Sequence, residues 1–385
     1  MRSLTNRTFL WMNTARLSGR KLALVACVLA LGFSAAAQGA HTCRTVPIVT
    51  SFDYPQAQQT QAVAISNTGE ITGAYEDRHS IVHGFLRDPD GNFTSFDPSG
   101  SILTFPFSIN TSGQVAGYYI DPSNVYHGFL RNADGSFVAP LDAPGAGTGR
   151  GQGTMVSNIN PMNDEIAGTS IDSSGVYHSF VWVNGTFTVF DAPGAGTGTG
   201  QGTETASVDG LNPMGVLAGT VVNSAGAYQG YVRNPDGTFR CGPFDVTGDG
   251  NGPGQGTSPG GINQAGIIEG AWIDSNDVNH GFVGPACGTL TLFDVPGAGT
   301  GPGQGTSNGN INALGEIASS FIDSSNVSHG FVREPNGSIT KFDAPGAGTG
   351  SGQGTVGFCN NASGQVTGWY YDGLGLVHGF LRSCN

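Results

Sequence analysis

Phe293 to Asp343 reads FDVPGAGTGPGQGTSNGNINALGEIASSFIDSSNVSHGFVREPNGSITKFD, and its turn residues divide it into four β-like stretches. The first, Ser307 to Asn312, is rich in small residues and runs into Asn312-Ala313-Leu314-Gly315, a turn with Gly where positive φ is wanted. Glu316 to Asp323 is the second, and Ser324-Ser325-Asn326 turns into the third, Ser328 to Arg333. Pro335-Asn336-Gly337 then leads into the fourth, Ser338 to Asp343. No stretch holds a helical period.

The pair that bounds this segment recurs along the chain. Phe-Asp, or Leu-Asp once, falls at Phe52, Phe96, Leu141, Phe190, Phe244, Phe293 and Phe342, at intervals of 44, 45, 49, 54, 49 and 49 residues. Four antiparallel strands per repeat, seven times over, predict an all-β fold: a seven-bladed β-propeller of four-stranded blades filling one domain, residues 38–385. A sandwich would not repeat, and most solenoid periods are shorter. The last copy ends seven residues after His378, too early for a fourth strand, whereas Val46 to Asp53 resembles Gly337 to Asp343. The N-terminal strand is therefore expected to complete the last blade and remove an open sheet edge.

Gly and Pro fill 64 and 20 of the 385 positions, and charged residues only 11%. Residues 1–37 read as a secretory signal: Arg2, Arg7, Arg16, Arg20 and Lys21, an apolar run from Leu22 to Phe33, and the small-residue site Ser34-Ala35-Ala36-Ala37-Gln38. Leu24-Val25-Ala26-Cys27 offers a second reading, a lipoprotein anchored through Cys27, with a shorter apolar run before it. Removing five basic residues and no acids takes the net charge from −13 to about −18. So acidic a chain, with Lys341 its sole Lys after the leader, is unsuited to nucleic acid or an anionic membrane. The run 22–33 is too short for a membrane span. The chain reads as secreted or periplasmic, and as a monomer.

The pattern I-N-x-x-G-x-I-x-G followed by H-G-F-L resembles the HAF-type extracellular repeats of bacterial proteins, most fully in His178-Ser179-Phe180-Val181-Trp182-Val183-Asn184-Gly185. Gly usually stands for the Ala of H-A-F here, and Arg usually for the Trp. The resemblance implies secretion and repeat architecture and carries no activity with it.

An Asp and a His six residues apart recur as Asp77 and His83, Asp121 and His127, Asp172 and His178, Asp274 and His280, Asp323 and His329, and Asp372 and His378. In the fourth copy both change, to Asn223 and Gln229. Even spacing across a hairpin turn puts the two on one sheet face, where the carboxylate can accept from the imidazole. Catalytic dyads or metal ligands are the alternative, but six copies of one catalytic device are unexpected, so the pairs read as structural. The segments 145–154, 194–203, 248–257, 297–306 and 346–355, near GAGTGxGQGT, lack the Lys and following helix of a phosphate loop. They read as crossings between blades, with a Thr- and Gln-bearing rim suited to weak polar recognition of a glycan or protein.

The Asp of each landmark pair (Asp53, Asp97, Asp142, Asp191, Asp245, Asp294, Asp343) reads as a turn former, with calcium the one cofactor left open. Positions that break the repeat are Glu269, where other copies have Thr72, Ala116, Ala167, Ala218, Ala318 and Thr367, and Glu204 and Asp209 in the fourth inner strand. Such carboxylates at a channel mouth are what a polysaccharide hydrolase or lyase would use. Five Cys follow the leader: Cys43 and Cys384 are expected to close the last blade, Cys241 and Cys287 form a second candidate pair, and Cys359 is the candidate free thiol. No nucleophile elbow or zinc-type spacing occurs. The chain reads as a binding or surface-interaction module rather than an enzyme, with a structural envelope or matrix role as a further alternative.

Overall fold

The computed structural model describes residues 47–207 and 209–383. The leader, Cys27 and the Cys43–Cys384 pair lie outside the described residues. The strands join into one all-β, propeller-like sheet system. β1 (Ile48–Phe52) opens it, and β2 (Gln59–Ile65), β3 (Ile71–Glu76), β4 (Val82–Arg87) and β5 (Phe93–Phe96) follow as an antiparallel meander. The pattern then repeats, and 103–109, 115–120, 126–131 and 137–141 pair in the same order. At the far end β1 pairs antiparallel with Val377–Ser383, from Ile48 opposite Ser383 to Phe52 opposite Gly379.

The landmark residues explain the packing between units. Each unit buries the aromatic of its H-G-F motif completely: Phe85, Phe129, Phe180, Tyr231, Phe282, Phe331 and Phe380. Each such ring contributes on the order of 1.5–3 kcal/mol. The landmark Phe lies flat on the Gly of the same motif, and a Cβ on Gly330 would meet Phe342 at 2.5 Å. Its other side faces an Arg of the next unit: Arg87 over Phe52 (4.8 Å), Arg131 over Phe96 (5.0 Å), Arg233 over Phe190 (4.3 Å), Arg333 over Phe293 (4.7 Å) and Arg382 over Phe342 (5.4 Å). In the third unit Trp182 takes that place and packs with Leu141 of the second.

An Asn at the end of the inner strand ties neighbouring units together. Its Oδ1 accepts turn amides, those of Leu314 and Glu316 for Asn312. Its Nδ2 donates to a backbone carbonyl of the following unit: Asn110 to Asn163, Asn160 to Asn212, Asn212 to Asn263, Asn263 to Asn312 and Asn312 to Asn361. Asn361 then donates to Ser66, 295 residues away, so the last unit abuts the first. A buried amide bonded at both ends is costly to replace, because its partners lose water as well as the bond.

One inner strand departs from the expected stretch. Ser307 to Asn312 is divided, with strand pairing at Gly305–Thr306 and again at Asn310–Ile311. Between them the Ser319 hydroxyl donates to the carbonyls of Ser307 and Asn308, and the Gly309 amide goes to the Glu269 carboxylate. Side-chain bonds from the adjacent strand and from the preceding unit supplement the ladder there, of which the bond from the Ser307 amide to the Ser320 carbonyl remains.

Candidate functional site

Antiparallel alternation sends the turn after β3, the start of β4 and the link after β5 to one face, called the rim here. Six histidines begin the third strand of their unit on that face. In each, Nδ1 lies within hydrogen-bond distance of the landmark Asp: His83 to Asp97 (2.6 Å), His127 to Asp142 (2.9 Å), and His178, His280, His329 and His378 to Asp191, Asp294, Asp343 and Asp53 (3.0 Å each). A carboxylate only accepts, so Nδ1 carries the proton and donates.

The expected Asp also pairs with the imidazole, through the other ring nitrogen. The Asp six residues before each His stands farther off, its Oδ2 3.6–3.9 Å from Nε2. Its Oδ1 instead closes the preceding turn, accepting for Asp77 from the amides of His79 and Ile81. Those amides, Ile81's foremost and against an opposing push from burial, hold the Asp77 carboxyl below the usual carboxylate range. The landmark Asp residues, read as turn formers with calcium as the alternative, are the hydrogen-bond partners of the imidazoles. Each of these six units presents an Asp–His–Asp row. Behind five of the histidines an aromatic ring stacks: Tyr75, Tyr119, Trp272, Phe321 and Tyr370, closest at 4.1 Å for Trp272 on His280. In the fourth unit Gln229 donates to Asp245 at 2.9 Å, so the landmark bond survives without the imidazole.

The Gly-rich links lie beside these rows, and their amides are committed. In segment 145–154 the N–H of Gly149 goes to Gln152 Oε1, that of Gly147 to the Ile171 carbonyl and that of Gly151 to the Asn124 carbonyl. A Cβ on Gly147 would meet Gln152 Oε1 at 2.4 Å, which explains the glycine. Thr154 accepts from the Ala143 amide, and Gln152 Nε2 donates to Ser173. The Gln amide is therefore an internal staple rather than a recognition group, and the link is no phosphate cradle. What the rim offers outward is the half-exposed carboxylates of Asp53, Asp142, Asp191, Asp294 and Asp343, with exposed Thr148, Thr197, Thr300 and Thr349 close by in the chain.

Of the three carboxylates that break the repeat, Glu204 lies on the inner strand of the fourth unit, Asp209 in the segment after it, and Glu269 on the second strand of the fifth, each with different partners. Glu269 is 2% exposed, accepts from the Gly309 amide at 3.3 Å, and burial pushes its pKa up to about 8. It is thus buried rather than presented at a channel mouth. Burial likewise raises Glu204 to about 7 and Asp209 to about 6, Asp209 being partly relieved by a bond from Asn310. Asp209, at φ 52°, lies 4.0 Å from Cys359 Sγ, 150 residues away. The segment around Asp209 is three residues longer than its counterparts, with nine steps from Thr203 to Asn212 against six from Thr154 to Asn160, and its strand stops at Thr205.

Cys359 is buried with a free thiol, and Cys241 and Cys287 form a disulfide between the fourth and fifth units. Such a bond fits an oxidising compartment. Among the described residues no group of three or more His, Cys, Asp or Glu side chains is arranged to hold a metal ion, and no helix is long and apolar enough to cross a membrane. A shallow cleft of about 350 Å³ opens on the face opposite the rim, between Thr68, Glu70, Thr111 and Ser112.

No family model matches the sequence, and no curated protein matches it. Among solved structures the chain is similar to the BP39L lectin from Burkholderia pseudomallei, at 13% identity and TM-score 0.56, over 86% of this chain and 98% of that one. Weaker likenesses are to the β-propeller domain of the Trilobed protease from Pyrococcus furiosus (8% identity, TM-score 0.46, over 84% and 95%) and to the six-bladed Aleuria aurantia lectin (12%, 0.41, over 74% and 96%). At such identities the likeness to the lectin from Burkholderia pseudomallei speaks to the fold, a β-propeller, and to that alone.

Proposed function

We propose that the chain is a secreted, seven-bladed, non-enzymatic propeller that binds neutral or amine-bearing glycans through its rim. The repetition of one polar constellation carries this reading: six Asp–His–Asp rows on one face, five of them ending in a half-exposed carboxylate whose orientation an imidazole fixes. Carboxylates so held suit sugar hydroxyls, and repetition turns weak sites into avidity. The acidity of the chain disfavours acidic glycans.

The blade count rests on seven landmark pairs, on the successive antiparallel meanders and on β1 supplying the strand beyond Val377–Ser383. The twenty-ninth strand follows from the divided inner strand of the sixth unit. The disulfide and the leader-like residues 1–37 support export, and the resemblance to HAF-type repeats agrees with it. That a lectin shares the fold is in keeping with a sugar ligand.

An array of neutral, amino and uronic glycans probed with labelled protein tests this, with released reducing ends assayed in parallel. Retention of neutral or amino glycans without product is expected. Product release abolished by Glu269→Gln would instead establish the hydrolase or lyase alternative.

A further inference from the structure

We propose that the rim carries six sites for a divalent transition-metal ion, each formed by the imidazole Nε2 and the carboxylate Oδ2 of the Asp six residues before it. The argument starts from which atoms are already committed. Nδ1 of each His donates to the landmark Asp, which leaves Nε2 as the bare lone pair. Oδ1 of each turn Asp accepts two backbone amides, which leaves Oδ2 as the oxygen turned to the imidazole; in the fifth unit Asp274 Oδ2 also accepts from the Asn276 side chain at 3.1 Å.

These two electron-pair donors face each other at 3.8, 3.8, 3.7, 3.9, 3.6 and 3.6 Å in the six rows. The separation is too long for a hydrogen bond. It lies close to the ~3.4 Å that two donors ~2.0–2.1 Å from a tetrahedral zinc ion would span. The landmark carboxylate behind Nδ1 completes the arrangement by which proteins orient a metal-binding imidazole and raise its basicity. Aromatic stacking on five of the rings holds them in that orientation.

Solvent reaches the pairs, whose side chains are 19–28% exposed. Imidazole with carboxylate selects zinc, nickel or copper over calcium, which takes oxygen alone. Two protein donors leave the other positions to water or to an incoming oxygen ligand. The fourth unit supplies a natural control: Asn223 and Gln229 replace both donors while Asp245 keeps its place. This inference concerns Nε2 and the turn Asp and stands whether or not the rim binds a glycan.

Isothermal titration of tag-free protein with zinc chloride, repeated with nickel chloride, tests it through stoichiometry. About six ions per chain are expected for the parent. His329→Gln, which copies the natural Gln229–Asp245 pair and so preserves the fold, should lower the number by one. Asn223→Asp combined with Gln229→His should raise it by one, and His79→Gln, at the other described histidine, should leave it unchanged. No saturable binding, or a stoichiometry indifferent to these substitutions, would overturn the proposal.

Discussion

At the rim, six histidines sit between the same two carboxylates in unit after unit; in and beside the inner strands, Glu204, Asp209 and Glu269 occur once each, Glu269 buried and the other two half-buried. A rim row is held by reciprocal partners, so losing one member strands the others, and the fourth unit changes two positions together while a Gln still binds Asp245. An inner acid needs only local room. Gly260 provides it for Glu269, since a Cβ there would meet Oε1 at 2.1 Å. The rim is therefore conservative within the chain, and the inner strands are where a unit acquires individual character.

The largest effect should come from removing the strand that completes the rim. Deleting residues 47–53 takes away the partner of Val377–Ser383 and the Asp53 carboxylate of His378. Thermal melting and gel filtration should show loss of a cooperative transition or aggregation through the exposed edge. Next, Cys241→Ser with Cys287→Ser opens a crosslink spanning 46 residues, which the loop-entropy relation values at roughly 4 kcal/mol, read as a lower denaturant midpoint. Asn312→Ala removes one tie between neighbouring units and should cost about 2 kcal/mol, because turn amides and the Asn361 carbonyl are left unpaired.

The smallest effect sharpens the contrast through pH. Burial raises the folded pKa of Glu269 from 4.5 to about 8, so the folded state holds a proton that the unfolded state releases. Its contribution is greatest below about pH 4.5 and declines as pH rises towards 8. Glu269→Gln removes this decline, so the variant should gain on the parent between pH 5 and 8 in denaturant titrations. A parent and variant that follow parallel pH profiles would show the carboxylate to be ionised and accommodated.

The repeat, its turns and the N-terminal strand were legible because spacing and turn chemistry are local in sequence. Partnership across strands was not. The Asp of Phe-Asp reads as a turn former because the imidazole it binds lies 13–15 residues earlier, across a strand pair whose register the sequence does not state. The Asn ties were missed since their acceptors are backbone carbonyls about 50 residues on, which no side-chain pattern marks. Glu269 was legible as an oddity among small residues, yet its burial depends on Gly260 and Gly309, contributed by two different inner strands. The Gln of GQGT was read as a recognition group, and only the fold reveals that its amide is spent inside the link.

The central claim is that binding belongs to the repeated rim. Surface plasmon resonance on an immobilised neutral glycan retained by the array would compare the parent with two variants. One carries Asp142→Ala, Asp191→Ala, Asp294→Ala and Asp343→Ala on the rim; the other carries Glu70→Ala and Thr111→Ala in the opposite cleft. Surface ion pairs of this kind contribute little stability, so both variants should melt near the parent temperature. The account predicts that the rim variant loses the glycan and the cleft variant keeps it; retention by the rim variant, with loss from the cleft variant, would contradict it.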